Sequence, residues 1–276
     1  RWRDRPFWAG QQALRHVAER SDLVLYLVSA AEEPAAAAYV ASEMELLAWV
    51  GKPVIVLLNQ LGVPREAWSA FVTSGDATRA LLAERAPGPV WAIGPETDAP
   101  LYADLPLSFA GPQDAAFISC SGLYRDEEET PDDYRATLAV AAERGLTMVC
   151  ANPDRLVHRG TKLIWCAGGL ADLYEQLGGP KVIMAGKPYP AIYDLALREA
   201  QSLAGKALDR RRVLCIGDGA PTDLLGANNQ DLDVLFVAGG LHGEHVLEPH
   251  GGLEARRLGS WLAGAGVKAA SAIPTL

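Results

Sequence analysis

Short apolar runs punctuated by glycine, proline and polar residues recur along this chain, and stretches of helical period separate them. Leu23–Val28, Val54–Leu58, Val90–Ile93, Ala115–Ser119, Leu146–Cys150, Val182–Met184, Val213–Ile216 and Asp233–Val237 read as strands. Helices are expected over Phe7–Arg20, Pro34–Val50, Pro64–Val72, Asp76–Glu84, Pro131–Gly145, Gly168 to Gly178, Pro190–Leu203 and Leu253–Ala263. Pro34 suits the first turn of its helix, Gly51 stops that helix, and Pro53 opens the next strand. Strand, helix and parallel strand then form a right-handed βαβ unit. The whole pattern predicts a three-layer α/β fold around a Rossmann-like parallel sheet. Between about Gly88 and Asp154 the chain has strands and a helix of its own, which reads as an insertion. The expected division is a core from 1–87 and 156–276 with an inserted domain over 88–155.

Composition narrows the function classes. With 276 residues, 49% hydrophobic and 21% charged, the chain suits an ordinary globular protein with a sizeable core. A formal charge of −9 argues against nucleic acid or an anionic membrane as the main partner. No apolar run is long enough for a transmembrane helix. The opening Arg1-Trp2-Arg3-Asp4-Arg5-Pro6 has neither an initiator Met nor the apolar core of a secretory signal, so a cytoplasmic, truncated or excised chain is expected. Cys120, Cys150, Cys166 and Cys215 lie in or beside apolar runs without metal-ligand spacing, and read as buried reduced thiols. The acidic run Asp126-Glu127-Glu128-Glu129 precedes a helix, where acids favour the dipole.

Candidate chemistry lies just past two apolar runs. Gly186-Lys187-Pro188 follows Val182–Met184, and Gly217-Asp218-Gly219-Ala220-Pro221-Thr222-Asp223 follows Val213–Ile216. Open α/β sheets place ligands at the C-terminal ends of their strands. There a lysine supplies positive charge for a phosphoryl group, and a carboxylate pair offers oxygen ligands to Mg2+. The plainer alternatives are a helix cap for Asp218, a first-turn carboxylate for Asp223 and a solvated surface residue for Lys187.

These motifs resemble the third and fourth motifs of the haloacid dehalogenase (HAD) superfamily. Cys150-Ala151-Asn152-Pro153-Asp154, Gly186-Lys187-Pro188-Tyr189-Pro190-Ala191-Ile192-Tyr193 and Ala238-Gly239-Gly240-Leu241-His242 are similar to its class IIA subgroup, with an uncharacterised bacterial hydrolase family nearest. The resemblance runs from about Leu61 to the C-terminus and takes in Thr73-Ser74-Gly75-Asp76 and Ile93-Gly94-Pro95-Glu96. It implies an α+β cap as the insertion, hinged at Asn152-Pro153-Asp154, and a Mg2+-dependent phosphatase of a small phosphorylated metabolite. It also implies that Asp218 and Asp223 hold the metal, that Lys187 and Asp223 serve catalysis, and that Asn152, Asp154 and Asn59 contact substrate. An Asx turn around Pro153 explains Asn152 and Asp154 as well. His242 suits a turn cap or a substrate contact; His158 and His250 read as surface residues. A homo-oligomer is compatible with this family.

The first sixty residues depart from that pattern. The first strand should end in the nucleophilic Asp, yet Leu23–Val28 runs into Ser29-Ala30-Ala31. Val54–Leu58 runs into Asn59-Gln60, with Leu58 where a hydroxyl belongs. Nothing nearby in sequence offers a base to activate Ser29 as a substitute. This segment weakly resembles the later half of a bacterial P-loop GTPase, although Asn59-Gln60-Leu61-Gly62 lacks the guanine-reading Lys and Asp, and no P-loop occurs. The reading is therefore a phosphatase lineage impaired in turnover, with a non-catalytic scaffold or binding module as the alternative.

Overall fold

The computed structural model describes residues 15, 17–27, 52–57, 69–159, 162–248 and 250–274. Strands β1 (Leu23–Leu27), β2 (Val54–Leu57) and β3 (Ala70–Val72) come first, followed by helix α1 (Ser74–Ala83). Then come β4 (Pro89–Ile93), β5 (Ser108–Phe109), β6 (Phe117–Cys120), α2 (Arg135–Glu143) and β7 (Thr147–Cys150). A hairpin of β8 (Leu156–Arg159) and β9 (Lys162–Trp165) precedes α3 (Ala167–Gln176), β10 (Ile183–Met184) and α4 (Pro190–Ala204). The remainder is β11 (Val213–Gly217), α5 (Leu225–Asn229), β12 (Asp233–Val237), α6 (Gly243–Val246), α7 (Ala255–Gly264) and β13 (Ser271–Ile273).

The chain forms two compact units, Arg1–Val72 with Tyr193–Leu276, and Thr73–Ile192. The first contains a six-stranded sheet in the order β13-β12-β11-β1-β2-β3, with every neighbouring pair parallel. Strand β1 sits centrally, Leu25 lying opposite Cys215 on one side and Ile55 on the other. Val24 and Leu25 are both fully buried. Successive strand residues point to opposite faces, so both faces of this sheet are covered, as a parallel sheet requires.

The second unit has a five-stranded parallel sheet in the order β10-β7-β6-β4-β5. Ile93, Ile118 and Met148 from its strands join Leu138 of α2 and Leu170 and Tyr174 of α3 in one core. The Tyr174 hydroxyl, buried with that ring, donates to the Leu146 carbonyl at 2.5 Å, which meets the requirement that buried polar groups be paired. The β8–β9 hairpin is tied to the acidic run by ion pairs from Arg159 to Asp126 (2.7 Å) and Lys162 to Glu127 (2.8 Å). These exposed pairs fix the position of the hairpin more than they stabilise it.

The fold is the expected α/β type, with a parallel Rossmann-like core sheet and a cap carrying its own sheet. Three details differ from the sequence reading. Ala70-Phe71-Val72, expected to end a helix from Pro64, is a strand pairing with Ile55, Val56 and Leu57; residues 61–68 lie outside those described. Ile183 and Met184 pair with Val149 and Cys150 in the second sheet, and not in the sheet that holds β11. In a run this short, pairing partners decide which sheet it joins, and periodicity carries no such information. By compactness the second unit spans Thr73–Ile192, wider than the 88–155 expected. The hairpin and β13 had no clear sequence signal, because their alternation covers only three or four residues. The expected helices over 7–20 and 34–50 fall largely or wholly on residues outside those described.

Candidate active-site residues

Strand β11 delivers Asp218 at its C-terminal end, and the chain then makes a wide turn over Ala220–Leu224. Asp223 staples that turn to its own start. Its Oδ2 accepts from the backbone N–H of Asp218 (3.2 Å) and of Gly219 (3.1 Å), while the Asp223 N–H donates to the Gly219 carbonyl (2.8 Å). Gly217 is needed beneath it, since a Cβ there would lie 2.6 Å from the same Oδ2. Asp218 is 9% exposed and Asp223 1%, so neither carboxylate is a solvated helix-cap group.

A second segment holds the loop from the next strand. After β12, the Leu241 N–H donates to Asp218 Oδ2 at 2.9 Å, and His242 Nε2 accepts from the Ala220 N–H at 3.2 Å. A Cβ on Gly240 would lie 2.0 Å from Asp218 Oδ2, so only glycine lets this backbone approach so closely. The His242 ring packs against Trp261 of α7 with centroids 4.8 Å apart, and Trp261 stacks on Phe236 at 5.5 Å. Burial, with a smaller contribution from His245, lowers the His242 pKa below its ordinary value of 6.5. Behind the loop, the fully buried Tyr193 ring presses on α5, where a Cβ on Gly226 would meet the Tyr193 hydroxyl at 2.2 Å.

Lys187 belongs to the second unit and follows β10. The Tyr189 N–H donates to the Gly186 carbonyl at 3.1 Å, turning the chain around the lysine. Gly186 abuts Pro153, whose Cδ would lie 2.8 Å from an added Cβ. That contact brings Lys187 beside the Asn152-Pro153-Asp154 loop at the end of β7. Asn152 Oδ1 accepts from the Asp154 N–H at 3.0 Å, the Asx turn that the sequence allowed. Gly168, at the start of α3, supports this loop from below: its N–H donates to the Asp154 carbonyl at 3.0 Å, and a Cβ there would strike the Pro153 carbonyl at 2.2 Å. Burial raises the Asp154 pKa, and the Lys187 charge partly offsets it.

Each unit thus gathers its own set: Asp218, Asp223 and His242 in the first, Asn152, Asp154 and Lys187 in the second. Asn59 and Ser29 lie outside the described residues. Sequence reasoning missed the roles of Gly217 and Gly240, of the Leu241 N–H, and of His242 as an acceptor. The Gly239-Gly240 doublet directly after an apolar strand was the available signal. Cys120 and Cys150 are register partners on β6 and β7 and fully buried; the neighbouring Cys150 thiol and burial hold the Cys120 pKa up, in keeping with an inert thiol.

The aspartate loop fits a hard divalent cation. Asp218 and Asp223 supply carboxylate oxygens, the hard donors that such a cation takes. Among the described residues no cluster of three or more His, Cys, Asp or Glu side chains forms a closed cage.

A sequence profile described as HAD-hydrolase-like matches residues 184–255, the stretch that holds Lys187, both aspartates and His242. The chain is 36% identical to a haloacid dehalogenase-like family hydrolase from Brucella suis 1330, with a TM-score of 0.73, covering 95% of this chain and 98% of that one. It belongs to the haloacid dehalogenase-like hydrolase family. An acid sugar phosphatase of Staphylococcus saprophyticus is 26% identical over 192 residues, covering 69% of this chain and 70% of the relative. A p-nitrophenyl phosphatase from Archaeoglobus fulgidus shares the fold at 17% identity and a TM-score of 0.63, covering 93% of this chain and 97% of that one. In this haloacid dehalogenase-like chain the atypical first sixty residues supply β1 and β2, which pair inside the same sheet as β11.

Proposed function

We propose that this chain descends from class IIA HAD phosphatases acting on small phosphorylated metabolites, and that its own turnover is impaired. The observation that carries the reading is the buried Asp218–Asp223 loop at the end of β11, beside the central strand β1. In this reading Asp218 and Asp223 are the oxygen donors for Mg2+, which when bound neutralises charge on phosphoryl oxygens. Asp223 also fixes the backbone of Asp218 through its two N–H bonds. Lys187 contributes a compact positive charge toward a phosphoryl group, and Asp154 and the Asn152 amide contact the remainder of the substrate. The likeness to an acid sugar phosphatase makes phosphorylated sugars the first substrates to test.

Impairment follows from the sequence after β1. Attack on phosphorus by an enzyme carboxylate needs an Asp there, and the chain has Val28-Ser29-Ala30-Ala31. The same observation favours a second reading, in which the protein binds metal or a phosphorylated ligand without turning it over. A phosphatase assay with p-nitrophenyl phosphate and sugar phosphates in Mg2+, run beside Asp218→Asn, separates these. Activity near background, with a Mg2+-dependent thermal shift that Asp218→Asn removes, supports the proposal. Robust turnover abolished by Asp218→Asn refutes the impairment, and the absence of any Mg2+ effect refutes the metal role.

A further inference from the structure

The loop that carries Asp218 is held from outside by two consecutive residues beyond the next strand. Leu241 gives its N–H to the Asp218 carboxylate, and His242 takes the Ala220 N–H on its Nε2. An imidazole nitrogen that accepts a hydrogen bond carries no proton, so in a neutral ring the proton must sit on Nδ1. The ring cannot easily swing away, because Trp261 packs on it and Phe236 in turn stacks on Trp261.

We propose that His242, as the neutral Nδ1–H tautomer, is a positioning residue that clamps the Asp218–Ala220 backbone and so fixes the direction of the Asp218 carboxylate. The cation role of Asp218 rests on the function proposed above; the clamp itself does not. Geometry alone supports the tautomer, and the lowered pKa from burial agrees with a neutral ring. His245 in α6, the helix that His242 precedes, is the titratable neighbour, while α7 presents Trp261 to the ring and uses Arg257 to bind the carbonyls of Glu244 and His245. Gly240 has the complementary task of leaving room for the carboxylate.

The test is made on the full 15N-labelled chain. Long-range 1H–15N spectra should show His242 protonated on Nδ1 and bare on Nε2. Hydrogen exchange at the Ala220 amide should quicken about tenfold in His242→Ala, the loss expected for one hydrogen bond, and return to within about threefold of wild type in His242→Gln, whose amide oxygen can reach the same donor. The Mg2+ concentration giving half the thermal shift should rise in His242→Ala and recover in His242→Gln. A proton on Nε2, or unchanged Ala220 exchange in the alanine variant, overturns the clamp. If His242→Ala does not fold, the tautomer of the native chain and the glutamine variant still decide. A wild-type protein without a Mg2+ response, but with the expected tautomer and exchange, overturns the cation reading and leaves the clamp standing.

Discussion

Replacing Gly240 with alanine tests how closely the aspartate loop is packed. The new Cβ would lie 2.0 Å from Asp218 Oδ2 and 2.6 Å from its Cβ and Cγ, distances that real Cβ atoms do not adopt. Gly240 is not among the positive-φ glycines, so alanine adds no dihedral strain and the clash is the whole perturbation. Turning the carboxylate away would relieve Oδ2 but leave the two Cβ atoms 2.6 Å apart, so the backbone must shift as well. Such overpacking costs about 1–3 kcal/mol. The lower backbone entropy of unfolded alanine returns about 0.4–1 kcal/mol. A net loss of about 1–2 kcal/mol remains, which for a chain of this size lowers the melting temperature by roughly 2–8 °C. Scanning calorimetry should find it in the transition of the first unit. The control is Gly259→Ala inside α7, where nothing lies within 4 Å of the added Cβ; it should stabilise by about 0.5–1 kcal/mol. A Gly240→Ala protein that melts at or above wild type would show that the carboxylate is not held where the loop geometry puts it.

Other perturbations have expected outcomes of different sign. Asp223→Ala strips the acceptor from the Asp218 and Gly219 N–H groups in a buried loop and should destabilise by about 2–5 kcal/mol in urea unfolding, with Asp223→Asn milder because its amide oxygen can still accept. Tyr193→Phe should be neutral or stabilising by up to about 1 kcal/mol in the same experiment, since the buried hydroxyl has no hydrogen-bond partner among the described residues. His242 gives a pH dependence whose sign is fixed: its folded pKa is lowered, so the unfolded ring binds the proton first. Its stability contribution is therefore complete above about 6.5 and is lost as pH falls from there through the folded pKa. Unfolding free energy measured between pH 5 and 7.5 should fall less steeply toward acid in His242→Gln, and parallel curves would contradict this.

The chain of residues by itself determined a good deal. Apolar runs such as Val213–Ile216 and Val234–Phe236 declared themselves as strands, because a strand covered on both faces has no polar position to blur it. The Gly217-Asp218…Thr222-Asp223 spacing placed two carboxylates at the end of a strand, and the Asx turn at Asn152 followed from local chemistry. What the sequence could not carry was pairing. Ile183-Met184 reads equally well in either sheet, and only its bonds to β7 put Lys187 in the second unit. Three residues at Ala70–Val72 became a strand because β2 offered its edge. Likewise the glycines at 217 and 240 are ordinary turn residues until folding brings the carboxylates of Asp223 and Asp218 against them. Local pattern reports what each segment can do alone, whereas sheet membership and close approach depend on partners far away in the chain, and those are fixed only when the core packs.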